Sequence, residues 1–247
     1  MTSFKDHFSQ VAIAYAAHRP TYPSPLVDFL AGLAPARRLA WDAGCGSGQL
    51  AVLLANAFER VIATDASAEQ IAQATAHPRV EYRRAAAEAS ELPDRVADLA
   101  TAAQAAHWFD LPAYYAEVRR VARPGALVAL ISYGVVEAGA DLDAVIRPFY
   151  HDVLGPYWPP ERRHVDNGYR SLPFPFEQLE APAFEIRREW RLEDLVGYIG
   201  TWSAVWALEQ AAGRGSVATF RRELTGAWGP PAVRTVRWPL ALRVGRV

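Results

Sequence analysis

The sequence predicts one doubly wound α/β domain, in which seven strands form a mostly parallel sheet covered by helices on both faces. Two observations lead to this fold class. Short apolar runs alternate with helical patterns between residues 39 and 133 of the 247-residue chain, and strands connected through helices pair in parallel. A glycine-rich turn also follows the first apolar run, where a strand would pass into a helix.

The first 38 residues predict a helical lead-in to this sheet. Phe4, Phe8 and Val11 follow a three- and four-residue spacing, which is typical of an amphipathic helix. A second helix is expected from Pro25 to Leu33, because proline is tolerated in the first helical turn.

Five strands and three helices are expected in residues 39–133. The strands are 39–41, which leads into Asp42, then 61–64, which leads into Asp65, and then 80–83, 97–101 and 126–132. The helices are 48–58, 68–76 and 111–121. Pro124 and Gly125 predict a turn before the fifth strand.

The alternation stops after Tyr133. Residues 135–180 are rich in proline and aromatic residues, and we expect them to form an insertion that caps the sheet. A sixth strand is expected at 184–190, followed by helices at 192–211 and 216–228. The last segment, 233–247, predicts a strand or a bent hairpin that Pro239 interrupts. No linker divides the chain, so all of residues 1–247 are expected in the single domain.

Composition narrows the class of protein. A net charge of −1 without a basic stripe argues against nucleic-acid binding. The single cysteine, Cys45, excludes a disulfide within the chain and a multi-cysteine metal site, and it fits a reducing compartment. Neither a signal peptide nor a long apolar segment is recognised, so we expect a cytoplasmic protein with no membrane partner and no metal.

The glycine-rich turn reads Asp42-Ala43-Gly44-Cys45-Gly46-Ser47-Gly48. A dinucleotide-binding turn would need a glycine at the position of Gln49. The Asp42 carboxylate would repel a pyrophosphate, whereas it suits S-adenosylmethionine, whose methionine end carries an ammonium and a cationic sulfur. Asp65 stands about twenty residues further on, where a carboxylate can bind ribose hydroxyls. The turn therefore favours S-adenosylmethionine, with a nucleotide site or a structural turn as alternatives.

At these motifs the chain resembles the class I S-adenosylmethionine-dependent methyltransferases, in particular the type 11 small-molecule group that includes trans-aconitate methyltransferase-like proteins. The resemblance runs through residues 4–133 and more loosely beyond them. It implies a Rossmann-like fold, S-adenosylmethionine as cofactor and S-adenosylhomocysteine as product. It also implies a set of cofactor-binding residues, which are Tyr15, Arg19, Asp42, Gly44, Cys45, Gly46, Gly48, Gln49, Asp65, Ala66, Ala87, Glu88, Gln104 and Ala105.

The chemistry on the acceptor side is more open. His107 follows the fourth strand and is the candidate general base, although it could equally act by positioning. Residues expected to bind the acceptor are Trp108, Tyr157, Trp158, Arg162, Tyr169 and Trp202. This mixture of aromatic and cationic side chains could receive a carboxylate, or it could be a loop packed by its own aromatic rings.

The expected activity is methyl transfer to an oxygen of a small molecule, with a carboxylate as one option. The alternatives are methylation of a nitrogen or carbon atom, and a silent cofactor-binding module that regulates a partner protein. A monomer and a homodimer are both compatible with the sequence.

Overall fold

The structure is a computed structural model that describes residues 20–247. Two of the expected cofactor-binding residues, Tyr15 and Arg19, lie outside the described residues, as does the segment for which the first helix of the lead-in was predicted. Among the described residues, no helix combines the length and the apolar character that crossing a membrane requires.

Eight strands form the sheet of the described residues. They are β1 (Leu39–Ala43), β2 (Arg60–Asp65), β3 (Val80–Arg84), β4 (Ala97–Ala103), β5 (Ala122–Tyr133), β6 (Glu177–Leu179), β7 (Glu185–Trp190) and β8 (Arg234–Arg246). The order is β3-β2-β1-β4-β5-β8-β6, and β7 pairs with β8. The first five strands are parallel, and β8 is antiparallel to its neighbours. The α/β fold class is confirmed, and the short β6 is the strand that the sequence did not predict.

Nine α-helices surround the sheet in residues 20–247. They are α1 (Ser24–Leu33), α2 (Ala51–Leu54), α3 (Ala68–Ala72), α4 (Leu111–Val121), α5 (Ala140–Pro148), α6 (Arg162–Asp166), α7 (Leu192–Gly200), α8 (Ser203–Ala212) and α9 (Gly215–Trp228). Short 3-10 turns occupy Ala106–Trp108 and Gly155–Tyr157, and a π turn occupies Phe149–Val153. Helices α2 and α3 are shorter than predicted.

Both faces of the sheet are buried, which explains the continuous apolar runs in its central strands. Leu99 and Ala129 face one core, and Trp41 and Leu130 face the other. The indole N–H of Trp41 donates to the Thr64 hydroxyl at 3.0 Å, so this large side chain is buried without losing its hydrogen bond.

The last strand corrects one prediction. Pro239 does not interrupt β8, because it stands where the pairing partner of β8 changes. Residues 234–239 pair with β7, and residues 240–246 pair with β5. Proline has no backbone N–H to donate. At the point where β8 changes its partner, this does not cost a hydrogen bond between two strands that both continue past it.

Two other predictions are corrected, one of a turn and one of a helix. Pro124 and Gly125 were expected to form a turn before the fifth strand. They lie within β5, where Gly125 has a φ of 77° and the β4 pairing is irregular between Ala97 and Leu99. The expected helix at 192–211 is two helices, α7 and α8. Between them the Thr201 hydroxyl donates to the Tyr198 carbonyl at 2.6 Å, and Trp202 is extended with a ψ of 132°.

Candidate active site

Three polar side chains lie at the carboxyl ends of adjacent strands. Asp42 is in β1, Asp65 ends β2, and Gln104 follows β4, and these strands are neighbours in the order β2-β1-β4. Carboxyl ends of parallel strands are where open α/β sheets bind ligands. The structure therefore brings together the three positions that the sequence placed at strand ends.

The Asp42 carboxyl group is buried, with 1% of the residue exposed. The Thr101 hydroxyl of β4 donates to its Oδ1 at 2.7 Å. Burial raises the pKa of Asp42 to about 7, with the Thr101 hydrogen bond opposing the rise and the charge of Asp65 adding to it. Among residues 20–247 no cation forms an ion pair with Asp42, so a cationic ligand would meet a carboxyl group that changes charge near neutral pH.

The Asp65 carboxylate links the glycine-rich turn to the start of α3 through two hydrogen bonds. Its Oδ2 accepts the Gly46 N–H at 2.8 Å, and its Oδ1 accepts the Ser67 N–H at 2.9 Å. Burial raises the pKa of Asp65, and these two amide hydrogen bonds oppose the rise. Each carboxylate oxygen can accept a second hydrogen bond, so the group can serve the turn and a ligand together.

Gly44 shows why this turn needs glycine. Its φ is 65°, and a Cβ added there would lie 2.5 Å from the Cβ of Ala105 and 3.0 Å from the ring of Phe109. The turn is thus pressed directly against the end of β4. This contact joins two of the segments that the sequence assigned to the cofactor.

Replacing Gly44 with alanine is expected to lower the free energy of unfolding by about 1–3 kcal/mol, because it adds both left-handed backbone strain and a clash. Gly32→Ala is the matched control, since Gly32 lies in α1 with nothing within 4 Å of an added Cβ. That variant should be neutral or slightly stabilising. Urea denaturation measures both. Equal stabilities for the two variants would contradict the assignment of Gly44 to a constrained turn.

Cys45 lies inside the turn but is not a reactive thiol. The residue is buried, and burial raises the pKa of its thiol well above the usual range, with the charges of Asp42 and Asp65 adding to the rise. A protonated, buried thiol is a poor nucleophile. In this environment Cys45 acts as a small packed residue of the turn.

Gln104 has a strained backbone. Its φ is 54°, its main-chain N–H donates to the Ile131 carbonyl at 2.8 Å, and its side-chain amide donates to the Tyr133 carbonyl at 2.7 Å. Left-handed conformations of residues other than glycine cost energy and are frequent at functional sites. The two hydrogen bonds hold this conformation at the end of β4.

The other expected cofactor residues surround the same edge of the sheet. Ala87 and Ala105 are buried. Glu88 accepts the main-chain N–H of Asp110 at 2.9 Å, next to the start of α4. Gln49 is half-buried, and its amide donates to the Ser47 hydroxyl at 3.0 Å. Ala66 directly follows Asp65, and its carbonyl accepts a bond from Arg84 at 3.4 Å.

A cleft opens beside Gln104. The residues that line it are Gln104, His107, Trp108, Tyr133, Trp158, Pro159, Arg162, Tyr198, Thr201, Trp202 and Ser203. Five of these were expected on the acceptor side from the sequence, namely His107, Trp108, Trp158, Arg162 and Trp202. Tyr157 does not line the cleft. Tyr169 does not line it either, since it is completely buried behind His107.

The sequence did not reveal the remaining walls of the cleft. Tyr133 ends the longest parallel strand, and a polar aromatic residue at a strand end is a signal that could have been used. Tyr198 and Thr201 lie at the break between α7 and α8, which was predicted as one continuous helix.

Arg162 is held among aromatic rings. Its guanidinium carbon lies 4.9 Å from the centre of the Trp158 ring and 5.5 Å from that of Tyr150. Its Nε donates to the Tyr150 hydroxyl at 2.6 Å and lies 3.3 Å from an oxygen of Asp166. These contacts fix the side chain in the cleft wall and leave its two terminal nitrogens without a hydrogen-bond partner among residues 20–247.

Fold and site together define an α/β protein with a candidate ligand site at the carboxyl ends of its parallel strands. A family profile described as a methyltransferase domain matches residues 41–130. A Dictyostelium discoideum protein whose name assigns it to the methyltransferases is 34% identical over 231 residues, which cover 92% of this chain and 88% of the relative.

Solved structures agree with this result. A protein of Anaeromyxobacter dehalogenans, described as a type II methyltransferase, is 50% identical with a TM-score of 0.88, covering 92% of this chain and 97% of its own. A methyltransferase structure from Anabaena variabilis, 18% identical with a TM-score of 0.53 over 87% and 96% of the two chains, shares the fold. The chain belongs to the class I S-adenosylmethionine-dependent methyltransferases.

Proposed function

We propose that this enzyme transfers the methyl group of S-adenosylmethionine to an oxygen of a small-molecule acceptor, and that the acceptor group is a carboxylate. Arg162 carries the proposal. Its guanidinium group lies in the wall of the cleft that opens beside Gln104. Two terminal nitrogens of arginine match the two oxygens of a carboxylate in a bidentate pair.

The residues at the strand ends fit S-adenosylmethionine. The buried carboxyl of Asp42 suits the ammonium of the methionine part, and its burial would strengthen that pair. Asp65 retains acceptor capacity for ribose hydroxyls. The glycine-rich turn would lie along the methionine part. Its residues in this role are Gly44, Cys45, Gly46 and Gly48, followed by Gln49. Ala66, Ala87 and Glu88 would lie near the adenine, and Gln104 and Ala105 near the sulfonium.

When bound, S-adenosylmethionine supplies an electrophilic methyl group on a cationic sulfur. The chain supplies orientation. Gln104, held by its two hydrogen bonds, fixes the edge that the cofactor and acceptor sites share. Trp158 and Trp202 line the acceptor side, where they exclude water from the acceptor oxygen. Arg162 would bind the acceptor and turn one oxygen toward the methyl group.

The alternatives differ in what they require. A silent binding module would need a blocked acceptor site, and the cleft beside Gln104 argues against a block. If a nitrogen or carbon atom were methylated, the two terminal guanidinium nitrogens of Arg162 would have no anionic partner at the reacting group. Product analysis separates these reactions from ester formation.

Calorimetry with S-adenosylmethionine and S-adenosylhomocysteine, followed by a screen of small carboxylic acids and their neutral analogues, tests the proposal. Micromolar binding of both compounds and methyl ester products are expected. Binding without turnover across the screen would support the silent module. Methylated amines or carbon centres as the only products would overturn the carboxylate assignment.

Replacing Arg162 with glutamine is expected to raise KM for a carboxylate acceptor about 10–100-fold, because charge-assisted hydrogen bonds contribute about 1.5–3 kcal/mol. Affinity for S-adenosylhomocysteine should stay within about twofold. Arg162→Lys should be intermediate, since lysine keeps the charge but not the fork. Arg163→Gln is the control, because Arg163 is exposed and does not line the cleft. Equal KM values for the Arg162→Gln and Arg163→Gln variants would exclude Arg162 from acceptor binding.

A further inference from the structure

His107 and Tyr169 form a contact that the proposed reaction does not explain. Nδ1 of His107 lies 2.8 Å from the hydroxyl oxygen of Tyr169. Tyr169 is fully buried and has a φ of 61°, which is rare for a bulky residue. Its main-chain N–H donates to the His164 carbonyl at 2.7 Å. The loop after α6 thus holds the tyrosine against the histidine in an unfavourable backbone conformation.

The buried hydroxyl of Tyr169 decides where the histidine proton lies. Among residues 20–247, the side-chain hydrogen bond described for this hydroxyl is the one to Nδ1 of His107, and the residue is completely buried. A phenol carries one hydrogen, and leaving a buried donor without an acceptor is costly. The hydroxyl hydrogen therefore points at Nδ1 of His107. Nδ1 must then be an acceptor, and a neutral imidazole with an unprotonated Nδ1 carries its hydrogen on Nε2.

We propose that Tyr169 is a positioning residue that holds His107 in the tautomer protonated at Nε2, so that His107 donates a hydrogen bond to the acceptor oxygen instead of removing a proton from it. This inference rests on the proposed function and assigns a role within the same site. His107 lines the acceptor cleft, and Nε2 is on the opposite side of the ring from the nitrogen that contacts Tyr169.

The tautomer restricts the acceptor chemistry. A histidine that already carries a hydrogen on Nε2 cannot take one from an alcohol or a phenol there. The acceptor must arrive ionised, as a carboxylic acid does at neutral pH. Its oxygen lone pair forms the new bond to the methyl carbon, the sulfur–methyl bond breaks with its electron pair left on sulfur, and no proton moves.

The surroundings of His107 agree with an anionic acceptor. The described ionisable side chains that share the cleft with it are Arg162, Tyr133 and Tyr198. Burial raises the pKa of Tyr169 beyond the usual range for tyrosine, while the charge of Arg162 opposes the rise. Tyr169 thus keeps its hydrogen at neutral pH. The carboxylate described beside Arg162 is that of Asp166, which lies 3.3 Å from Nε and does not line the cleft.

The tautomer can be measured on the ligand-free protein by nitrogen-15 NMR of the imidazole. The His107 signals are identified by their loss in a His107→Gln variant. We expect a protonated Nε2 and an unprotonated Nδ1 in the wild type at pH 8, and a change toward the other tautomer in Tyr169→Phe. A protonated Nδ1 in the wild-type protein would overturn the proposal, whether or not the Tyr169 variant folds.

A pair of His107 variants supplies a kinetic test at saturating cofactor. The glutamine amide can place a donor near the position of Nε2, whereas the shorter asparagine amide reaches only the position of Nδ1. Turnover of a carboxylate acceptor should fall less than about tenfold in His107→Gln and about 100-fold in His107→Asn, in line with loss of one positioned donor. Equal losses would instead fit a base that no amide can replace.

These readouts separate this inference from the proposed function. Saturating cofactor removes the pH dependence of cofactor binding that Asp42 causes. Under that condition, wild-type turnover that persists as the pH falls from 8 to 6 supports a donor, since a protonated histidine still donates. A tenfold loss per pH unit would indicate a base and overturn the inference. If the acceptor is not a carboxylate, the proposed function fails in the acceptor screen, while the NMR result still reports the tautomer on its own.

Discussion

Replacing Asp42 with asparagine is expected to weaken binding of S-adenosylmethionine at least 100-fold and, at the same time, to stabilise the ligand-free protein. Both effects come from one buried group. Breaking a buried ion pair by removing one charge costs about 3–5 kcal/mol, which sets the loss of affinity. Asparagine keeps the oxygen that accepts the Thr101 hydroxyl and removes the charge that is costly to bury.

The gain in stability follows from the thermodynamic coupling between protonation of Asp42 and folding. The pKa of Asp42 in the folded protein is about 7 rather than the usual 3.8. A carboxyl with a raised folded pKa stabilises the fold at low pH, and this contribution is lost as the pH rises from about 4 to about 7. One pKa unit corresponds to about 1.4 kcal/mol. Above pH 7 the asparagine variant should therefore be more stable than the wild type by up to about 4 kcal/mol, and the difference should shrink toward pH 4.

Urea denaturation at several pH values and calorimetry with S-adenosylmethionine measure the two effects. Binding to the wild type should tighten from pH 6 to pH 8 and release a proton near pH 6.5, because the ammonium favours the ionised carboxylate. Asp98→Asn is the matched control. Asp98 is also buried, but it accepts the N–H groups of Arg38 and Leu39 at the opposite end of the sheet. This variant should lose stability and keep its affinity, and a similar pattern in Asp42→Asn would contradict the binding role.

The edge of the sheet that carries the site could be predicted because its signals are local. Asp42 and Asp65 each follow a short apolar run, and parallel strands present their carboxyl ends on one side. The strand order then made neighbours of residues far apart in sequence. Their roles toward the cofactor stay predictions, as do those of Tyr15 and Arg19, which lie outside the described residues.

The acceptor side could be predicted only in part, because tertiary contacts decide it. Trp158 was recognisable as an aromatic residue near cations and Trp202 as an aromatic residue on a predicted helix, but Tyr198 and Thr201 line the cleft at the break between α7 and α8. Periodicity alone gave no reason for that break. Tyr169 was expected to touch the acceptor, whereas the structure places it behind His107. Its left-handed backbone conformation has no signature in the sequence.

Asp65→Ala is the second change with a large expected effect. The Asp65 carboxylate has two roles to distinguish, one in holding the glycine-rich turn and one in the proposed binding of the ribose. The side chain already accepts the N–H groups of Gly46 and Ser67. Its removal leaves both amides without that acceptor and should lower the free energy of unfolding by about 2 kcal/mol. If the remaining acceptor capacity binds the ribose, affinity for S-adenosylhomocysteine should fall at least 100-fold as well.

A loosened turn could lower affinity without any ribose contact, so the test needs a ligand that lacks the hydroxyls. Wild-type protein should bind the deoxyribose analogues of S-adenosylhomocysteine much more weakly than the parent compound. In Asp65→Ala the parent and the analogues should bind equally, because the group that distinguishes them is gone.

Ser67→Ala provides the control: it removes the hydroxyl that accepts the Gln70 N–H and should cost about 1 kcal/mol of stability. Since it leaves the carboxylate in place, it should keep the preference for the hydroxylated ligand. A preference that survives in Asp65→Ala would make Asp65 a clamp for the glycine-rich turn alone, and ribose recognition would then have to come from other residues.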